Sequence, residues 1–231
     1  MTLGVLGGTF DPIHLGHLAA GDAAQQALSF DSMLLIPSRI PPHRADPVTA
    51  GPEERFAMAK LAAAERPRWT ASRLELDRDG PSFTYDTLLA LKSRGRGEAA
   101  MSDGRGIGDD GASGVEWQIF FITGADAFAE IASWSRYPAV LDLAHFVVVS
   151  RPGITLDSLR VRVPSAFSRP LSAARGKQPS AKTRVILVEA HTPDISSTDI
   201  RRRVRAGHSL SGYVPDTVAD YIRDHHLYLG K

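Results

Sequence analysis

No cysteine occurs in the 231 residues. That excludes a disulfide framework, a thiol nucleophile and any cysteine-built zinc site. Charge of one sign is also lacking, since 27 Lys and Arg face 26 Asp and Glu, a formal net charge of +1. A chain so balanced has no broad field for holding nucleic acid, and none is expected as a partner. No apolar run approaches the roughly 20 residues that span a bilayer. The start MTLGVLGG has no basic segment and breaks at glycine too early for a signal peptide. A cytoplasmic protein without a membrane partner is expected. With 43% hydrophobic and 23% charged residues, the chain reads as one globular domain over 1–231.

Short apolar runs alternate with segments of helical spacing. Residues 3–6, 32–36, 69–76, 116–122, 145–150 and 184–188 read as strands. Residues 14–28, 52–65, 84–91, 196–207 and 215–227 read as helices, with a short one after TGAD. The alternation predicts an α/β protein with a doubly wound parallel sheet and a small helical part at the C-terminus. Residues 94–114, rich in glycine and charge, and 165–182, rich in Ser, Arg and Pro, read as flexible insertions.

The turn after the first strand is where an open α/β sheet holds phosphate, because free N–H groups and the helix dipole meet there. Here it reads GGTFDPIHLGH, from Gly7 to His17. The dinucleotide fingerprint G-x-G-x-x-G and the P-loop Gly-Lys-Ser/Thr are both missing. Gly7, Gly8, Thr9 and Phe10 bring backbone close to a ligand. His14 and His17, three apart, share one face of the helix's first turn, with Gly16 between them leaving room for a bulky group. A capping or surface role for the two histidines remains open, and a zinc site would need a third ligand that no nearby residue supplies.

Far along the chain, Ile195 to Arg201 reads ISSTDIR. Ser196, Ser197 and Thr198 offer hydroxyls and helix-start N–H groups to phosphate oxygens, and Arg201 lies about one turn on. The alternative is a helix cap, with Ser196 and Asp199 forming a capping box; the two roles can coexist.

GTFDPIHLGH resembles the first signature of the nucleotidyltransferases that share H-x-G-H with class I aminoacyl-tRNA synthetases, and ISSTDIR resembles the second. Between them lie PPHR, EERFAM, PSFTYDTL, GADAFAEIASW and SRPG, and VPDTVADYI follows. Together these strings are similar to the bacterial nicotinate (nicotinamide) mononucleotide adenylyltransferases over nearly the whole chain, the two insertions apart. The resemblance implies a Rossmann-like nucleotidyltransferase fold and transfer of adenylate from ATP to nicotinate mononucleotide, in NAD biosynthesis. It implies Mg²⁺ carried by the ATP phosphates, and ATP and nicotinate mononucleotide as partners. Other H-x-G-H enzymes, of the pantetheine phosphate or cytidyl type, and a non-catalytic adenine-nucleotide module are the alternatives. The latter needs only one phosphate turn.

On that resemblance His14, His17 and Arg201 are the catalytic residues and hold the triphosphate. Gly7, Gly8, Thr9, Phe10, Ile195, Ser196, Ser197 and Thr198 complete the ATP site, with Gly124 and Asp126 at the ribose. Arg39, His43 and Arg44 would take the mononucleotide phosphate, Thr84 and Tyr85 the nicotinate carboxylate, and Trp134 would stack on the pyridine. Core packing for Trp134 and helix capping for Asp126 are the other readings of those two.

Overall fold

Residues with near-continuous apolar runs lose water from both faces only inside a parallel sheet covered by helices. A computed structural model, which describes residues 1–42, 48–94, 117–150, 159, 161–167, 171–173 and 183–230, has this architecture. The strands are β1 (Thr2–Gly8), β2 (Ser32–Pro37), β3 (Trp69–Ala71), β4 (Gln118–Gly124), β5 (His145–Val149), β6 (Leu171–Ala173) and β7 (Val185–Val188). They form a seven-stranded sheet of order β3-β2-β1-β4-β5-β7-β6 in which every neighbouring pair is parallel.

Period-two alternation sends successive side chains into two cores. Phe120 and Ile122 of β4, with Val147 and Val149 of β5, enter one; Ile119, Phe121, Phe146 and Val148 enter the other. Each fully buried large apolar side chain contributes about 1.5–3 kcal/mol. The first core is covered by α1 (Leu15–Leu28), α2 (Pro52–Ala64), α6 (Ser197–Arg205) and α7 (Asp216–Asp224). The second lies under α3 (Thr84–Arg94), α4 (Ala125–Ala129) and two 3₁₀ turns, Ile131–Ser133 and Ala139–Asp142. A four-residue helix, α5 (Pro164–Phe167), precedes β6.

Two expectations change, and a third falls outside the described residues. The strand read over 69–76 stops at Ala71, where pairing with β2 ends, and Ser72 N–H donates to Leu35 O at 2.8 Å. Its alternation is overridden by tertiary bonds: Arg73 pairs with Glu53 of α2 and with Asp77, and the Thr87 hydroxyl donates to Glu75 at 2.6 Å. Within 165–182, part of α5 and the edge strand β6 stand where a loop is expected, and the remainder lies outside the described residues. So does the insertion read over 94–114, apart from Arg94, the last residue of α3.

Sequence order along the sheet reverses between β1 and β4, so the crevice beyond their carboxyl ends is where a ligand fits.

Candidate active site

Both phosphate-type motifs converge on that crevice. β1 ends at Gly8, and the chain turns through Phe10, whose φ of +51° is an unfavourable backbone conformation for a bulky residue. The Phe10 ring lies buried against Gly8, where a Cβ would come within 2.7 Å of it. It meets the His17 ring edge-on at 5.1 Å. Glycine at position 8 is therefore fixed by Phe10, and so is the shape of the turn.

His14 is the N-cap of α1 and His17 its third residue, and each caps the other. His17 N–H donates to His14 Nδ1 and His14 N–H to His17 Nδ1, both at 3.3 Å, with the rings stacked at 3.7 Å. An Nδ1 that accepts a backbone N–H carries no proton, so each neutral ring holds its proton on Nε2. Capping through Nδ1 thus does not engage Nε2 of either ring. The room expected at Gly16 is filled from within: a Cβ there would meet the His14 ring at 3.1 Å and Pro193 O at 3.2 Å.

The second motif docks on the first across nearly the whole chain. Ser197 Oγ donates to Pro12 O at 2.9 Å, and Arg201 Nη1 donates to Asp11 O at 2.7 Å. Arg201 is 6% exposed, lies 3.6 Å from the Asp11 carboxylate and donates through Nη2 to Thr198 Oγ1 at 3.0 Å. Asp11 in turn accepts from Thr49 and Ala50 N–H at 2.9 and 3.0 Å. Ser196 is the N-cap of α6: its hydroxyl accepts from Asp199 N–H and donates to the Asp199 carboxylate. The Ile195 side chain sits in the first core, so only its backbone faces the motif. Tyr228, from the C-terminal segment, is buried near Asp11, and burial with that carboxylate's charge holds its phenol far above the ordinary value.

Gly124 closes β4 and is itself the N-cap of α4, which places Asp126 inside the first turn, exposed, rather than at the cap. On the same end of the sheet, Thr84 and Tyr85 open α3 and the Arg136 guanidinium lies 5.1 Å over the Tyr85 ring. That contact brings α3 beside the turn carrying Trp134, which is half-buried and edge-on to Phe121 at 6.0 Å. Its ring packs on the second core as the packing reading requires. Arg39 follows β2 and donates to Arg78 O and the Asp79 carboxylate at 3.0 and 2.8 Å. His43 and Arg44 lie outside the described residues.

Sequence reasoning gives Arg55 no role, yet it is the largest fully buried side chain among the described residues. The signal was present, because Arg55, Met58, Ala59 and Ala62 share the buried face of α2 at helical spacing. An arginine on a core stripe is the anomaly that periodicity alone can flag.

The profile of the cytidylyltransferase-like family matches residues 5–203. A protein of Roseiflexus sp. named "Probable nicotinate-nucleotide adenylyltransferase" is 39% identical over 226 residues, 98% of this chain and 97% of that one. One of the same name from a strain of Thermus thermophilus is 38% identical over 99% of this chain and 100% of its own. The chain belongs to the nicotinate-nucleotide adenylyltransferase family. The fold is also that of Plasmodium falciparum nicotinic acid mononucleotide adenylyltransferase complexed with APC, with a TM-score of 0.68 and 16% identity over 98% of this chain and 96% of that one. A second structure of the Plasmodium enzyme, complexed with NaAD, superposes with a TM-score of 0.66 at 16% identity, covering 98% of this chain and 97% of that one.

Proposed function

We propose that this protein transfers AMP from ATP to nicotinate mononucleotide, giving nicotinate adenine dinucleotide and pyrophosphate, a step of NAD biosynthesis. The observation that carries the reading is the docking of Ser197 and Arg201 onto Pro12 and Asp11, which joins two phosphate motifs at one crevice. A module that only binds adenine nucleotide has no need of the second. Relatives similar to this chain along nearly their whole length bear the name of the activity.

The acceptor's phosphate oxygen is already anionic at neutral pH and needs no general base. It attacks the α-phosphorus in line; the new O–Pα bond forms as the Pα–O bond to the β-phosphate breaks, and the electron pair leaves with pyrophosphate. Catalysis is then positioning and electrostatics. His14 and His17 offer Nε2–H groups to the phosphates, directional donors where a lysine would give a point charge. Arg201 and the start of α6 add positive potential on the same side. Gly7, Gly8, Thr9 and Phe10 let nucleotide approach the backbone, and Gly124 and Asp126 meet the ribose. Thr84 and Tyr85 take the pyridine carboxylate, Trp134 the ring, and Arg39 with His43 and Arg44 the acceptor phosphate. Mg²⁺ enters on the ATP phosphates as part of the substrate.

Pyrophosphate release from ATP, measured with nicotinate mononucleotide, nicotinamide mononucleotide and pantetheine phosphate in turn, tests the reading. The highest kcat/KM is expected with the nicotinate form. Equal efficiency with the nicotinamide form removes the acid specificity, and no release with any acceptor favours a binding module.

A further inference from the structure

Arg55 is a buried cation that the reaction above does not use. It is 1% exposed in the first turn of α2, on a face otherwise made of Met58, Ala59, Ala62 and Ala63. A methionine or leucine would suit that stripe without the desolvation cost of a guanidinium. The difference lies in what its planar fork holds. Nη1 donates to Thr9 O at 2.7 Å and Ser38 O at 2.6 Å, Nη2 to Arg39 O at 3.4 Å, and Nε to Ala50 O at 3.2 Å.

Those carbonyls belong to separate segments. Thr9 is in the nucleotide turn after β1, and Ser38 and Arg39 lead into the acceptor turn after β2. Ala50 precedes α2, and its N–H holds the Asp11 carboxylate. The β1–β2 ladder ends with Gly8 opposite Pro37, and the last rung is Ser38 N–H to Gly8 O at 2.9 Å. One residue further on each strand, Nη1 bonds both carbonyls at once and stands in for the missing rung.

We propose that Arg55 is a positioning residue that fixes the separation between the nucleotide turn at Thr9 and the acceptor turn at Ser38–Arg39. The inference rests on the adenylyl-transfer reading, in which an acceptor oxygen must reach the α-phosphorus in line. In such reactions a misplacement of about 1 Å costs on the order of 100-fold in rate. A ligand that spans both halves reads the spacing directly, whereas a ligand of one half does not.

Arg55→Lys tests this, because lysine keeps the charge but its single nitrogen cannot reproduce the fork. Calorimetric titrations use α,β-methylene-ATP alone, nicotinate mononucleotide alone, and nicotinate adenine dinucleotide, alongside kcat. The dinucleotide Kd is expected to rise about 10-fold or more and kcat to fall by about 30-fold or more, within the range for lost positioning. The two single ligands should each change by less than about 3-fold. Equal shifts for all three ligands, or wild-type values throughout, overturn the proposal. Should the variant not fold, the ¹⁵N-labelled Nε–H resonance of Arg55 in the wild type decides. It is expected to move on adding nicotinate adenine dinucleotide, which spans both turns, and stillness with the dinucleotide overturns the proposal. A wild type that releases no pyrophosphate with nicotinate mononucleotide refutes the adenylyl-transfer reading instead, which separates the two failures.

Discussion

His14 and His17 hold each other's backbone N–H through Nδ1, at 3.3 Å in both directions. The helix start and the ring orientation are therefore one structure. The capping bonds put the neutral-ring proton on Nε2, and the stacking at 3.7 Å fixes the two rings against each other. In the proposed transfer, a fixed pair of donors would need no reorganisation as charge develops on phosphate, which is where preorganised groups contribute most.

Capping and donation can be separated by substitution. His14→Asn keeps a good N-cap acceptor but has no imidazole N–H, so its melting temperature should stay within a few degrees of wild type. Its kcat should fall about 100-fold or more, the usual effect of removing one such donor. His17→Ala loses the reciprocal cap as well and should cost about 1 kcal/mol of stability in addition to nearly all activity. Thermal melts beside pyrophosphate-release kinetics check both. Near-normal turnover in either variant would leave the pair with capping alone.

Gly16 divides the two histidines and is held by packing. Alanine is normally the better helix residue, by about 1 kcal/mol in a helix interior and less in the first turn. Here its Cβ would lie 3.1 Å from the His14 ring and 3.2 Å from Pro193 O. Neither neighbour is a flexible chain end: the ring is pinned by its capping bond and the other is a backbone carbonyl. Overpacking at about 1–3 kcal/mol outweighs the propensity gain. Gly16→Ala should melt below wild type and lose about 10-fold or more in kcat through the displaced ring. A variant more stable and fully active would show that the segment carrying Pro193 yields.

The fold was legible because each strand is a concentrated apolar run and each helix carries its own start signal. The pairing of His14 with His17 was legible because they are three residues apart, so local geometry alone makes them neighbours. What holds the site together was not. Asp11 meets Arg201 across 190 positions, and Ser197 meets Pro12 across 185, contacts that no local pattern encodes. The strand over 69–76 failed for the same reason, since Arg73 and Glu75 bend the chain through partners on α2 and α3. Arg55 was hidden by its type: an arginine reads as solvent-facing until the helical stripe beneath it is followed.

Away from the site, His145 begins β5 with its ring buried, stacked on Phe120 at 4.8 Å. Nδ1 accepts Arg184 N–H at 3.2 Å and Nε2 faces the Gln118 amide at 2.9 Å. Burial, aided by the Arg184 charge, lowers its pKa below the ordinary 6.5. The unfolded chain then binds the proton more readily than the folded one, so stability drops as pH falls from about 6.5 through the lowered folded value. Urea unfolding at pH 7 and pH 5 should show a larger loss for wild type than for His145→Gln, which has no ring to charge. Equal losses would remove His145 from the acid response.

Trp134 separates packing from recognition. Its ring meets Phe121 and Phe146 at 6.0 and 6.5 Å, yet it is only half-buried, and Arg136 two residues on reaches the Tyr85 ring at the start of α3. If it only packs, Trp134→Ala lowers stability and leaves the kinetic constants of the folded fraction alone. Stacking of an aromatic ring on a base contributes about 1–3 kcal/mol. The KM for nicotinate mononucleotide should therefore rise roughly 5- to 150-fold, while the KM for ATP, which the proposed reading assigns to the β1 turn, stays within a factor of about two. Trp134→Phe, which retains a flat face, should recover most of the loss. Initial rates with each substrate varied in turn decide the matter: wild-type KM values for both substrates in the folded fraction assign Trp134 to packing.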